Sequence, residues 1–230
     1  MIELWEKKES GILLTEPLLL RACMAGHFGK KIIYPGGCVC KSMFTYLLGE
    51  ADPGLFDARP ELFFGEWLIC MSLSWESFLR DKPKAKTLRR VMMKPGSGVS
   101  KKTPAPLSPG YTLSPFTPEI FSLHPFGHCR NYQDFDEFCR FGSGAVILFD
   151  GKIVSSASSF LTFQDEVELD VSTDPGHRRS GLADHCVARM MSDCTVRGMT
   201  IHWDAQNEAS MLMAVSHGFE IDQDYAVYLL

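Results

Sequence analysis

The chain has 230 residues, of which 45% are hydrophobic, 22% charged and 11% aromatic. These ordinary globular values exclude collagen-like, coiled-coil and wholly disordered readings, and the length suits one large domain or two small ones. The formal charge of −5 is unevenly spread: residues 1–130 hold 17 Lys/Arg and 12 Asp/Glu, a net of +5, whereas residues 131–230 hold 6 and 16, a net of −10.

An acidic second half argues against nucleic acid as its ligand. It favours a cationic substrate, because the summed field concentrates positive charge; a merely solvated acidic surface fits the same composition. No apolar run reaches the roughly 18–20 residues of a membrane span. Glu3, Glu6 and Glu9 do not suit the basic start of a signal peptide. The chain is expected to be soluble and cytoplasmic, with no membrane partner. None of its eight cysteines forms a Cys-x-x-Cys pair, and Cys38-Val-Cys40 lacks a second pair at ligand spacing. Reduced buried thiols and no metal are the expectation.

In chain order, residues 12–25 predict a helix, with Thr15 as N-cap and Pro17 in its first turn. Gly36-Gly37 predicts a turn, residues 44–48 and 67–73 predict buried strands, and residues 75–79 open a helix. Nine Lys/Arg crowd residues 80–102, which reads as a solvated face or linker. Residues 94–110, with four prolines and three glycines, predict a linker. The expected organisation is thus an N-terminal domain over 1–93, the linker, and a second domain over 111–230.

Beyond the linker, residues 132–140 predict a helix with Phe135, Phe138 and Cys139 on one face. Residues 145–149 and 152–160 predict two strands joined by Asp150-Gly151, a hairpin turn. Residues 166–173 alternate, with Val167, Leu169 and Val171 on one face and Glu166, Glu168, Asp170 and Ser172 on a polar face. After Asp174-Pro-Gly176, apolar residues recur at helical spacing over 180–197, and Gly198 ends that helix. Residues 200–203 predict a strand. A helix follows, capped by Asn207 and closed by Gly218, and a last strand covers 225–230. The class is α/β or α+β.

The turn before the 180–197 helix reads His177-Arg-Arg-Ser-Gly-Leu-Ala183. A helix N-terminus offers unpaired N–H groups and a partial positive charge, which suit phosphate. Gly181 and small Ala183 permit close approach, while Arg178 and Arg179 add charge. An ordinary strand-to-helix turn with solvated arginines fits the same string.

Arg178-x-x-Gly181-x-Ala183 resembles the pyrophosphate-binding motif of the GNAT N-acetyltransferase superfamily. The likeness continues in order through a long helix, a strand, Asn207-x-x-Ser210 and Gly218-Phe219. Residues 151–159, 167–173 and 203–207 resemble the zwittermicin-A-resistance-like branch. The resemblance covers 111–230, and is faint at 34–37 and 47–50. It implies a GNAT-type mixed, mostly antiparallel sheet flanked by helices, preceded by an N-terminal α/β domain of unknown role.

The resemblance also implies acetyl-coenzyme A as co-substrate. Its pyrophosphate would rest on the amides of Arg178, Arg179, Ser180, Gly181, Leu182 and Ala183. Its pantetheine arm would bond the main chain of Val171 and Thr173 like an added strand, where the 200–203 strand splays away. Asn207, with Ser210 of the same motif, would meet the arm from the other side, in addition to capping its helix. An amine would attack the thioester directly. An amine of pKa near 10.4 is only about 0.1% neutral at pH 7.4, so a base is needed. Glu168 and Asp170 are the candidates, and each also reads as a structural carboxylate. The Val171 N–H is the oxyanion donor by resemblance. The position where many members carry a proton-donating tyrosine is Ala214 here, which leaves Tyr225 and Tyr228 as substitutes. The implied activity is acetyl transfer to a primary amine of a small cationic molecule. A non-catalytic acetyl-coenzyme A-binding module and a protein N-acetyltransferase stay open.

Overall fold

The computed structural model describes residues 14–82, 85–96 and 103–230, which contain seven α-helices and eleven strands. They form two compact units. One takes the described residues up to Val91 together with Gln223–Leu230, and the other takes Met92–Asp222. This partition differs from a division at 94–110: the last eight residues belong with the N-terminal unit. Residues 97–102 of the expected linker lie outside the described residues.

The first unit holds α1 (Leu18–Met24), β1 (Lys30–Tyr34), β2 (Gly37–Lys41), β3 (Thr45–Gly49), α2 (Pro53–Ala58), β4 (Leu68–Cys70) and α3 (Leu73–Arg80). The strand order is β1-β2-β3-β4, and β4 then pairs with the end of β11 (Phe219–Leu229) through Val227↔Ile69 and Tyr228↔Leu68. Among these described strands β3 and β4 pair parallel, and β1–β2, β2–β3 and β4–β11 antiparallel. The strand alternation buries Val39, Leu47 and Leu68 against Trp75 and Leu79 of α3 and Phe56 of α2.

Several expectations change here. α1 begins after Pro17, which is itself the N-cap, and Thr15 instead donates its N–H to Gln223 Oε1 at 3.0 Å. Residues 12 and 13 lie outside the described residues. Gly37 is a strand residue: a Cβ there would stand 2.0 Å from the Leu48 carbonyl oxygen, so β2 and β3 approach only because it has none. The basic run is not a solvated linker throughout, for residues 86–95 form β5. Asp224 pairs with Arg89 at 2.6 Å, Asp222 pairs with Lys94 at 3.3 Å, and the buried Arg90 lies over the Phe44 ring at 4.9 Å. Opposite charge and an aromatic face offset the repulsion within this stretch, although Arg89 and Lys94 keep most of their side chains in solvent. Lys84, Lys101 and Lys102 lie outside the described residues.

The second unit holds β6 (Tyr111–Pro115), α4 (Pro118–Leu123), α5 (Phe135–Phe141), β7 (Gly144–Phe149), β8 (Lys152–Phe163), β9 (Glu166–Thr173), α6 (Leu182–Val196), β10 (Thr200–Ala205) and α7 (Glu208–Ser216). Its strand order is β10-β9-β8-β7-β6, antiparallel except for β9–β10. Asp150 and Gly151 make the β7–β8 turn with φ of 48° and 73°, which matches the twist of the strands. β8 runs past the predicted end at 160, through an irregularity between Ser159 and Leu161. α6 buries Leu182, Cys186, Val187, Met190 and Cys194 and packs on β7, β8 and β9. In α5 only Phe138 is buried. Cys139 is exposed, and the helix starts three residues later and is two residues shorter than its pattern suggested. Asn207 caps α7, its Oδ1 accepting the Ser210 N–H at 2.9 Å. The fold is therefore mixed α/β, with mostly antiparallel strands and flanking helices.

Candidate active site

The site is built on β9. The Asp174 N–H donates to the Val154 carbonyl at 2.8 Å, and the register then runs Ser155↔Thr173, Ser156↔Ser172, Ala157↔Val171 and Ser158↔Asp170. Bonded and non-bonded pairs alternate along an antiparallel ladder. Ser172 and Asp170 therefore exchange bonds with β8, while the N–H and C=O groups of Val171 and Thr173 point the other way. On that other side β9 pairs with β10 only at residues 166–168 with 200–202, although the strands continue to Thr173 and Ala205. The two strands part after Glu168 and His202, and Val171 and Thr173 turn main-chain groups toward the opening. Arg178 Nε donates to the Thr173 carbonyl at 3.2 Å, so one of those acceptors is already used.

The turn that follows delivers the chain to α6. Arg179 has φ 64° and Gly181, the N-cap, has φ 71°. No side chain caps the helix, and a Cβ on Gly181 would meet nothing within 4 Å. The space beside Gly181 at the start of α6 is thus open. Arg178, Arg179 and Ser180 are exposed around it. Leu182 contributes main chain only, because its side chain is in the core. Tyr111 Oη and His177 Nδ1 lie 2.9 Å apart and hold the turn against β6.

The two faces of β8 and β9 differ. On one, the Ser155 and Thr173 hydroxyls meet at 2.8 Å, and Cys186 of α6 reaches Ser155 at 4.0 Å. On the other, His124 Nε2 meets Ser156 Oγ at 2.8 Å. His128 Nε2 lies 3.2 Å from Asp170 Oδ2 and 3.3 Å from Ser172 Oγ. Burial pushes both histidines down to about 4, with the neighbouring Arg130 charge adding to the shift of His124 and His124 to that of His128. Both rings are therefore neutral near pH 7.

Glu168 does not lie on an exposed polar face. It is 8% exposed, at the point where β9 and β10 part. Asp170 keeps 35% of its side chain exposed, and Glu166 bonds His202 Nε2. Asn207 Oδ1 is used by its own cap, and Ser210 Oγ accepts the Trp203 indole N–H at 3.0 Å. Ala214 is fully buried. Tyr228 donates to Glu76 Oε1 at 3.5 Å within the first unit. His124 and His128 escaped the reading of the sequence; two histidines four residues apart next to a Gly turn were the available signal. Among the described residues no group of three or more His, Cys, Asp and Glu is placed to hold a metal ion, and the eight cysteines are free thiols.

The family model described as GNAT acetyltransferase matches residues 18–228. A Bacillus subtilis (strain 168) protein named as the uncharacterized N-acetyltransferase YdfB is 27% identical over 170 residues. The match takes in 70% of this chain but only 64% of that relative's length. A GCN5-related N-acetyltransferase-like protein from Streptococcus suis 89/1591 superposes with a TM-score of 0.78 at 22% identity, covering 93% of this chain and 92% of the other. A GCN5-related N-acetyltransferase from Kribbella flavida gives a TM-score of 0.59 at 15% identity, covering 93% and 95%. At these identities the two structures share the fold.

Proposed function

The chain belongs to the GNAT acetyltransferase family, and on that premise we propose that it transfers the acetyl group of acetyl-coenzyme A to a primary amine of a small cationic molecule. The observation that carries this reading is the parting of β9 from β10, with the main chain of Val171 and Thr173 turned into the gap beside the uncapped start of α6. An extended arm with amide groups pairs with such an edge as a strand does. A pyrophosphate fits helix amides with no Cβ in the way. Arg178 and Arg179 supply charge there, and the Asn207 amide stands as a further contact.

In this reading the Val171 N–H steadies the oxyanion that forms when the amine attacks. Removing one such donor typically costs about 2.7–4 kcal/mol. Glu168 takes the proton of the incoming ammonium, directly or through water, and its place where the strands part supports that role. Asp170 attracts the cation. With Ala214 at the position where many members carry a tyrosine, solvent returns the proton to the leaving thiolate, and Tyr225 or Tyr228 is the alternative donor. The resemblance of residues 151–159, 167–173 and 203–207 to the zwittermicin-A-resistance-like branch supports a place in that branch as part of this proposal.

The test has two parts. Calorimetry with coenzyme A should show binding, and free-thiol release should show turnover with a panel of small amines, amino-sugar antibiotics and lysine peptides. Binding without turnover on any amine would instead favour a sensing module, and turnover on peptides alone a protein N-acetyltransferase.

A further inference from the structure

We infer that His128 and Asp170 form the subsite that grips the ammonium group of the acceptor, with His128 positioning the Asp170 carboxylate. The inference rests on the proposed acetyl transfer and adds where the acceptor binds and what it must carry: a primary alkylammonium. Asp170 precedes Val171 in the strand, so its side chain leaves the sheet next to the main-chain edge that faces the gap. It does so on the face opposite α6, for Asp170 shares its face with Ser156, Ser158 and Ser172, while Ser155 and Thr173 face Cys186. The donor would thus reach β9 from the α6 side and the acceptor from the His128 side.

Chemistry fixes the polarity of the pair. A carboxylate only accepts, so the neutral His128 ring places its proton on Nε2, toward Asp170 and 3.2 Å from it. Nδ1 then points away from Asp170, buried without a hydrogen-bond partner among the described residues. The Ser158 hydroxyl, in register with Asp170, is likewise buried without a partner among the described residues. An alkylammonium brings three donors and no acceptor. The Asp170 carboxylate and the Ser158 hydroxyl oxygen, on one face of the sheet, are acceptors for such a group, while His128 acts through the carboxylate. Among the described residues, the charged and titratable groups on the neighbouring elements include His124 and Arg130 on the segment before α5, Glu166 and Glu168 on β9, and His202 on β10. Those carboxylates add to the attraction for a cation. Phe126, stacked on His128 at 6.0 Å, gives the ring a fixed plane.

The experiment uses the full chain and three acceptors, spermidine, kanamycin and acetyl-lysine amide, with thiol release from acetyl-coenzyme A as readout. For whichever amine is used, Asp170→Asn and His128→Phe should each raise KM about 10- to 100-fold, the size of losing a hydrogen bond to a charged group, with kcat changed less than about threefold. His128→Gln, which keeps a donor for Asp170, should recover part of the loss. The double variant should be little worse than Asp170→Asn alone, since His128 acts through that carboxylate. Circular dichroism and coenzyme A binding report folding and the donor site separately. Unchanged KM in both single variants, additive losses, or a wild-type protein that binds coenzyme A yet neither binds nor acetylates any of the three amines would overturn the subsite. Absence of coenzyme A binding in the wild-type protein would overturn the proposed function with it.

Discussion

The Trp75 indole N–H donates to the Tyr34 hydroxyl at 2.9 Å, tying α3 to the end of β1. The same hydroxyl lies 2.7 Å from the Glu50 carbonyl oxygen and 2.8 Å from that of Leu48, so one phenol closes the β1–β2–β3 end of the first unit. Burial pushes that phenol up to about 12, so it keeps its proton throughout the physiological range. Tyr34→Phe should cost about 1–3 kcal/mol, because Trp75 is fully buried and its N–H loses its partner. Urea unfolding would show the loss as a lower midpoint with an unchanged slope.

Gly181→Tyr should abolish coenzyme A binding by filling the space before the α6 amides. The positive φ adds a strain of about 1–2 kcal/mol for any side chain. Gly181→Ala carries that strain without the bulk, and should bind within several-fold of the wild type. Equal affinity of the tyrosine and alanine variants by calorimetry would place the pyrophosphate elsewhere.

Glu168→Gln should lower kcat by about 10²–10⁴, the range of a positioned base, while coenzyme A affinity holds. The deficit should narrow as pH rises, because more amine arrives neutral. This contrasts with the KM effect expected at Asp170, so the two carboxylates separate in one kinetic series. Near-normal turnover of Glu168→Gln at pH 7 would remove it from the chemistry.

Stability should fall as pH drops from about 6.5 to 4. His124 and His128 are held near 4 in the folded protein, against about 6.5 unfolded. Within that window the unfolded chain binds more protons, so the slope is positive, at most about 1.4 kcal/mol per pH unit for each histidine. Replacing His124 by Asn should flatten the dependence of the urea midpoint on pH; an identical slope would contradict the assignment.

Cys38 should react first with a disulfide reagent at pH 7, ahead of the more exposed Cys139. The Cys40 hydrogen bond, helped by the Lys31 charge, holds Cys38 down to about 7 against its partial burial, whereas Cys139 is raised. Cys38→Ser should remove the fast phase. After denaturation, thiol titration should count all eight cysteines.

The sequence by itself determined the elements whose pattern is local. The apolar stripe of α6, the alternation of β9, the Asp150-Gly151 turn and the Asn207 cap each follow from residues within one or two turns of chain. The short motif from Arg178 to Ala183 pointed to an anion site for the same reason, since a helix start needs no distant partner. Tertiary structure decided the rest. β5 was hidden because its lysines and arginines read as a solvated run; Arg89 and Lys94 do stay largely exposed, but Asp224 and Asp222 pair with them and Arg90 is buried. Glu168 looked exposed because alternation assigns a face but not what covers it. His128 had no meaning alone: it acquires one only when folding carries it to Ser172, 44 residues along the chain, and to Asp170 beside it. Which edge of β9 stays open is likewise a property of two strands ceasing to pair, and neither strand's own sequence records where its neighbour turns away.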